Sequence, residues 1–396
     1  MSDVPAPYAW RSVGAVGLGL FALLMLLAGR YGYHRDELYF LAAGRHLDWG
    51  YVDQPPLTPL LSRGVAVVVG DSLIGARILP ALLTVATVLA AAAISRELGG
   101  ARAEQLLTAG ATAISAIVLI SGHWLSTTTV DLLIWTVLCW LVIRTVRTGG
   151  GPSWLWAGLV AGIGLQNKTL VLFLLAALVA GLLLAGPRKV FRDPWLWGAG
   201  GLAVLIWAPN LIWQATHGWP QLELSAAIAA GSSGSSQPRW LFVPFQVVLV
   251  SPGLLPVWVA GLVVLLRSAA LRPHRFLAAA YLVLVVVFLV TGGKPYYITG
   301  LYPALLAAGA LPTVPWVRAG RGRLRQVLLA LAFVVSLPNL VLMLPLLPER
   351  LLGPVVAVNY DAGETVGWPR LAETVGVAYD TLPAADRPIV LTENYG

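Results

Sequence analysis

The chain has 396 residues, of which 58% are hydrophobic and only 11% charged, and its mean hydropathy is +0.79. A soluble domain carries about 25% charged residues, so the composition excludes a water-soluble globule. The formal net charge of +8 is spread singly or in short clusters between apolar runs, which excludes a continuous nucleic-acid-binding face and fits cations left in cytoplasmic loops.

Apolar runs long enough to cross a bilayer recur from end to end. They predict spans near 12–30, 73–96, 104–121, 128–146, 152–166, 169–185, 196–214, 240–266, 274–291, 295–312 and 325–347, about eleven in all. The first run follows an acidic, Pro-rich start and lacks the small-residue exit of a cleaved signal peptide, so it is expected to be retained as a helix. The single cysteine, Cys139, lies inside the fourth run and excludes an intramolecular disulfide and a Cys-based zinc site. Asn167 and Lys168 interrupt GIGLQNKTLVLF and predict a turn between two short spans. No internal repeat points to an inverted-repeat transporter.

The Lys/Arg bias predicts a cytoplasmic N-terminus and an extracytoplasmic C-terminus. With that orientation 15 of the 26 cations fall in short inner segments, but only four of the 18 acids: Asp3, Glu97, Glu104 and Asp193. Acid chemistry is therefore expected outside, at the face of a cytoplasmic membrane. Residues 1–347 then form a transmembrane domain whose outer loop one covers 31–72. A second outer loop, 215–239, carries the mobile-looking AGSSGSSQP. Residues 348–396, with the strand-like PIVLT, form an extracytoplasmic segment too poor in apolar groups for its own core. That tail reads as a partial domain, or as a segment packed on the outer loops.

Loop one reads YGYHRDELYFLAAGRHLDWGYVDQPPLTPLL. Leu38, Phe40, Leu41 and Leu47 recur at helical spacing, which predicts an amphipathic interfacial helix opening on Asp36 and Glu37 and broken by DQPP. Two roles suit such an acid pair: a cap on the helix dipole, or a general base held at the membrane surface. Asp131, after Thr127 to Thr129, is either another helix cap or a functional acid, since a carboxyl group at that depth is costly unless used or paired. Lys168 and Lys294 are either phosphate ligands or cations snorkelling to the interface.

The run RDELYFLAAGRHLDWGYVDQPPLTPLL resembles the first periplasmic loop of bacterial glycosyltransferases related to protein O-mannosyltransferases and to the aminoarabinose transferase of lipid A, which have the GT-C fold. TTTVDLLIWTVLCWLVIR, GIGLQNKTLVLFLL, NLIWQATHGWPQLEL and GGKPYYITGLYPALLAAG resemble later segments of the same family, in order over about residues 10–312. The resemblance implies a GT-C bundle that takes a sugar from a polyprenyl-phosphate carrier and passes it to a lipid, glycan or protein acceptor at the outer face. Asp36 and Glu37 match the family's catalytic pair, and Asp131 its second acid. Lys294 with Tyr296 and Tyr297, and Lys168, suit the donor phosphate and sugar. Where some relatives have an acid and a Lys before the two prolines of loop one, this chain has Asp53 and Gln54, which shifts weight to Lys294, Lys168 or Arg239. Asp53 and His217 could share a divalent ion, but no third ligand is evident and a satisfied surface pair is the simpler reading. The competing class is a transporter or lipid-linked-sugar flippase, which would place ionisable groups near the midplane of several helices. The predicted spans hold almost none.

Overall fold

A computed structural model describes residues 5–70, 72–231, 237–319 and 322–383, and the regular structure among these is helical throughout. Among the described residues, seven helices are long and apolar enough to cross a bilayer: Trp10–Leu27, Leu73–Glu97, Thr127–Thr148, Pro194–Thr216, Arg272–Thr291, Pro295–Arg318 and Arg323–Met343. Two helix pairs also qualify but bend, by 62° between Arg102–Ile114 and Ala116–His123 and by 90° between Arg239–Val250 and Pro252–Arg267. Among the described residues the spans thus number seven, or up to nine with the bent pairs.

The expected all-α membrane bundle is present, but the count of eleven is not confirmed. The segments predicted at 152–166 and 169–185 are helices Trp154–Leu165 and Leu170–Ala185, of 12 and 16 residues. At about 1.5 Å per residue each falls short of a hydrocarbon core of ~30 Å. The predicted straight spans at 104–121 and 240–266 are broken for local reasons. The Ser115 hydroxyl donates back to the Ala111 carbonyl and its backbone turns extended. Pro252 has no N–H to continue a helix.

Small residues let the helices approach closely. A Cβ on Gly261 would run into the Leu305 carbonyl, and one on Gly309 into that of Val257, so the Pro252–Arg267 and Pro295–Arg318 helices touch backbone to backbone. At one end of the bundle, buried Glu97 is held by Arg96, Arg144 and Arg147, the last at 2.6 Å. These lie at the far end of the Thr127–Thr148 helix from Asp131.

Loop one sits at the opposite end, which is the end of Asp131. Its predicted helix is Arg35–Arg45, with Glu37, Phe40, Ala43 and Gly44 turned toward the protein. This helix ends at Arg45, well before DQPP, so the two prolines do not break it as expected. They open a second, Leu57–Val69, because a fixed φ near −65° suits a helix start. The carboxamides of Asn210, Gln214 and Gln221 donate to the carbonyls of Trp49 and Tyr51, tying loop one to the end of Pro194–Thr216 and the helix after it. The tail folds back onto loop one through short helical turns and continues into Trp368–Asp380. PIVLT and residues 232–236 of the Gly/Ser stretch lie outside the described residues.

Candidate active site

Loop one is anchored by a buried arginine. Arg77, 1% exposed, donates to both carboxylate oxygens of Glu37 and to the carbonyls of Ala28, Arg30 and Gly32. The other half of the anchor is a capping box: the Glu37 carboxylate accepts from the His34 N–H, and His34 Nδ1 accepts from the Asp36 N–H at 3.2 Å. With Nδ1 accepting, the His34 proton sits on Nε2. Burial first, then Arg35 and Arg77, push this imidazole down to about 3, so it is neutral and lies flat on Trp124 at 4.2 Å.

The Asp-Glu pair therefore splits. Glu37, expected beside Asp36 in the chemistry, is 4% exposed and wholly engaged in holding the loop. Asp36 caps nothing. Its side chain is 31% exposed, within 3.5 Å of Arg35 and in the field of Lys168. Crowding by the protein pushes its carboxyl up to about 6, against the pull of Arg35, with Asp361 adding to the rise. A carboxylate with that affinity for a proton suits a base at neutral pH.

Asp131 is not a cap either. Ser126 caps Thr127–Thr148 through a capping box with Thr129, leaving Asp131 one turn further in, 7% exposed, with a buried Oδ1 that has no hydrogen-bond partner. It lines a narrow crevice with Thr128, Trp135, Lys168, Tyr296 and Tyr297. Lys168 turns into this crevice instead of snorkelling. Its ammonium lies 5.2 and 5.6 Å from the ring centroids of Tyr296 and Tyr297. Burial pulls its pKa below the usual amine range, while Asp131 and Asp36 hold it up. The two acids from separate elements thus flank one cation. The KPYY aromatics, expected to serve Lys294, lie against Lys168.

Lys294 is 8% exposed and stands at the start of the next helical turn, which the buried Gln246 carboxamide fixes by donating to the Pro295 carbonyl. Burial, then repulsion from Lys168 and Arg35, bring it down to about 8, with Asp36 and Asp361 opposing. Arg239 is exposed beside the Gly292 turn that leads to Lys294. Asp53 accepts from the Tyr39 hydroxyl, Gln54 is buried, and His217 stacks on Trp213 with its Nδ1 2.8 Å from the Trp213 carbonyl. No contact joins Asp53 to His217, and among the described residues no group of three or more His, Cys, Asp and Glu could hold a metal ion.

Sequence reasoning missed four contributors. Asn167 donates to the Thr127 carbonyl and accepts from Thr58, fastening the Lys168 turn to loop one and to the helix of Asp131. Arg77 carried a signal, a cation inside a hydropathic span. Arg35 carried only its place beside Asp36, and Gln246 none.

The dolichyl-phosphate-mannose-protein mannosyltransferase family model matches residues 53–213. No curated protein matches the sequence. ArnT from Cupriavidus metallidurans bound to undecaprenyl phosphate superposes with a TM-score of 0.63 at 16% identity, over 97% of this chain and 82% of ArnT. The archaeal oligosaccharyltransferase AglB from Archaeoglobus fulgidus, in complex with an inhibitory peptide and a dolichol-phosphate, gives 0.57 at 12%, over 91% of this chain and 56% of that one. The arabinofuranosyltransferase AftD from Mycobacteria gives 0.57 at 18%, over 88% and 28%. At such identities the likeness establishes the GT-C fold.

Proposed function

We propose that this chain, of the GT-C fold and the protein-mannosyltransferase and ArnT type, is a glycosyltransferase that moves a sugar from a polyprenyl-phosphate carrier to an acceptor at the outer membrane face. The observation that carries this reading is the convergence of Asp36, Asp131, Lys168 and Lys294, from four separate segments, on one end of the bundle. The Arg-rich Glu97 cluster lies at the opposite end, where the positive-inside rule puts the cytoplasm. ArnT carrying undecaprenyl phosphate in the same fold supports the donor class.

In this reading Asp36 accepts the proton of an acceptor hydroxyl as its oxygen bonds to the anomeric carbon. The bond from that carbon to the phosphate oxygen breaks, and its electron pair leaves with the polyprenyl phosphate. Lys294 and Lys168 face the charge that develops there. Asp131 keeps Lys168 charged and offers its unpartnered carboxylate oxygen to the sugar or acceptor. Glu37 and Arg77 hold loop one, so that Asp36 does not drift from the reacting atoms.

Lys294→Ala tests the donor side. A charge-assisted contact to phosphate is worth roughly 1.5–3 kcal/mol, so the variant should bind polyprenyl phosphate about ten- to a hundredfold more weakly. Unchanged affinity there, with Lys168→Ala defective, moves the phosphate to the Lys168 turn. Unchanged affinity in both removes the reading's chemical support.

A further inference from the structure

The tail returns from the last span directly onto the candidate site. Arg30 and Tyr31 donate to the carbonyls of Leu346 and Leu347, and the Gly32 N–H to that of Thr365 at 2.8 Å. This brings Asp361 and Glu364 to 3.6 and 3.8 Å from the Arg35 guanidinium, which lies 3.5 Å from Asp36. Asp361 also acts on Lys294 and on Asp36. Three cations, Arg35, Lys168 and Lys294, therefore face four carboxylates, Asp36, Asp131, Asp361 and Glu364. Their formal balance is one negative charge, an unfavourable place for a further anion. Without the tail acids it is one positive charge, which matches a phosphodiester.

The two kinds of ion pair in loop one differ in a way that bears on exchange. Glu37 and Arg77 are both buried, with several hydrogen bonds between and around them, and cannot be parted without stranding a charge. Asp361 is 46% exposed and its contact to Arg35 is long, so water or another anion can take its place at little cost.

We propose that Asp361 and Glu364 form a counter-anion strap: they neutralise Arg35 in the empty site and give way to the phosphate of a lipid-linked sugar, which Arg35 then binds together with Lys294. This rests on the glycosyltransferase reading and adds both a donor ligand and a competitor built into the chain. A tail that merely stapled loop one would lower stability when cut loose, with no gain in affinity for anything.

The test is binding of undecaprenyl phosphate to the full chain in bilayer discs, with thermal unfolding followed on the same samples. The D361N/E364Q double variant should bind about three- to tenfold more tightly, and Asp361→Asn alone about twofold, as expected for losing weak competing ion pairs. In an Arg35→Gln background the same substitutions should give much less tightening, only what Asp361 withholds through Lys294. A folded double or single variant that binds no better than the wild type, or worse, overturns the strap. A wild-type chain that fails to retain the lipid phosphate at all overturns the glycosyltransferase reading, and the strap with it. Tightening undiminished without Arg35 also overturns the proposal, because the acids would then act wholly through another group.

Discussion

A carboxylate in the first turn of a helix is stabilised by the N–H groups left open there, and Glu37 uses that position fully while its neighbour Asp36 does not. The difference appears in their surroundings: an arginine and a backbone N–H on Glu37, a partly open position beside Arg35 and in the field of Lys168 for Asp36. The same residues make a pH prediction. Asp36 must be ionised to act as a base, and its carboxyl is raised to about 6, so kcat/KM should fall as pH drops below that value. Lys294 must be protonated to hold a phosphate, and its amine is lowered to about 8, so kcat/KM should also fall as pH rises above that value. The expected profile is a bell between these limbs, and Lys294→Arg should remove the alkaline one because a guanidinium stays charged. An acid side that stays flat through pH 5, roughly a unit below the Asp36 midpoint, would deny Asp36 the role of base.

At the scale of the element, the loop-one helix is held as much by Arg77, from the next span, as by its own sequence. Glu37→Gln keeps the shape of the side chain but leaves the Arg77 guanidinium buried without its counter-charge. Thermal unfolding should report a loss of about 3–5 kcal/mol. Unchanged stability with lost turnover would instead make Glu37 a catalytic group. Which elements could be read from sequence follows from the range of the forces involved. The Arg35–Arg45 helix was legible because its apolar spacing and acidic start are local. The Leu57–Val69 helix was not, because Pro55 and Pro56 read equally well as a helix stop and a helix start. The bends at Ser115 and Pro252 were hidden inside long apolar runs, where hydropathy has no feature to mark them.

For the whole molecule, the membrane sorts chemistry to the two ends of the bundle. The Glu97 cluster occupies one end, and the Asp36, Asp131, Lys168 and Lys294 cluster the other. Asp36, Asp131, Lys168 and Lys294 were legible because an ionisable group at the edge of an apolar run stands out. Their grouping was not, since it depends on Asn167, Gln246 and a tail that meets Arg35 from more than 300 residues away. Glycosyl transfer with Asp36 as base is tested most directly by consumption of a polyprenyl-phosphate-linked sugar. The purified full chain would be reconstituted in lipid, with wild type and Asp36→Asn compared in parallel. Asn fits the helix start as well as Asp, so the variant should fold normally while turnover drops by about two to four decades. Turnover within about threefold of wild type would contradict the assignment, because removing a general base costs far more than that.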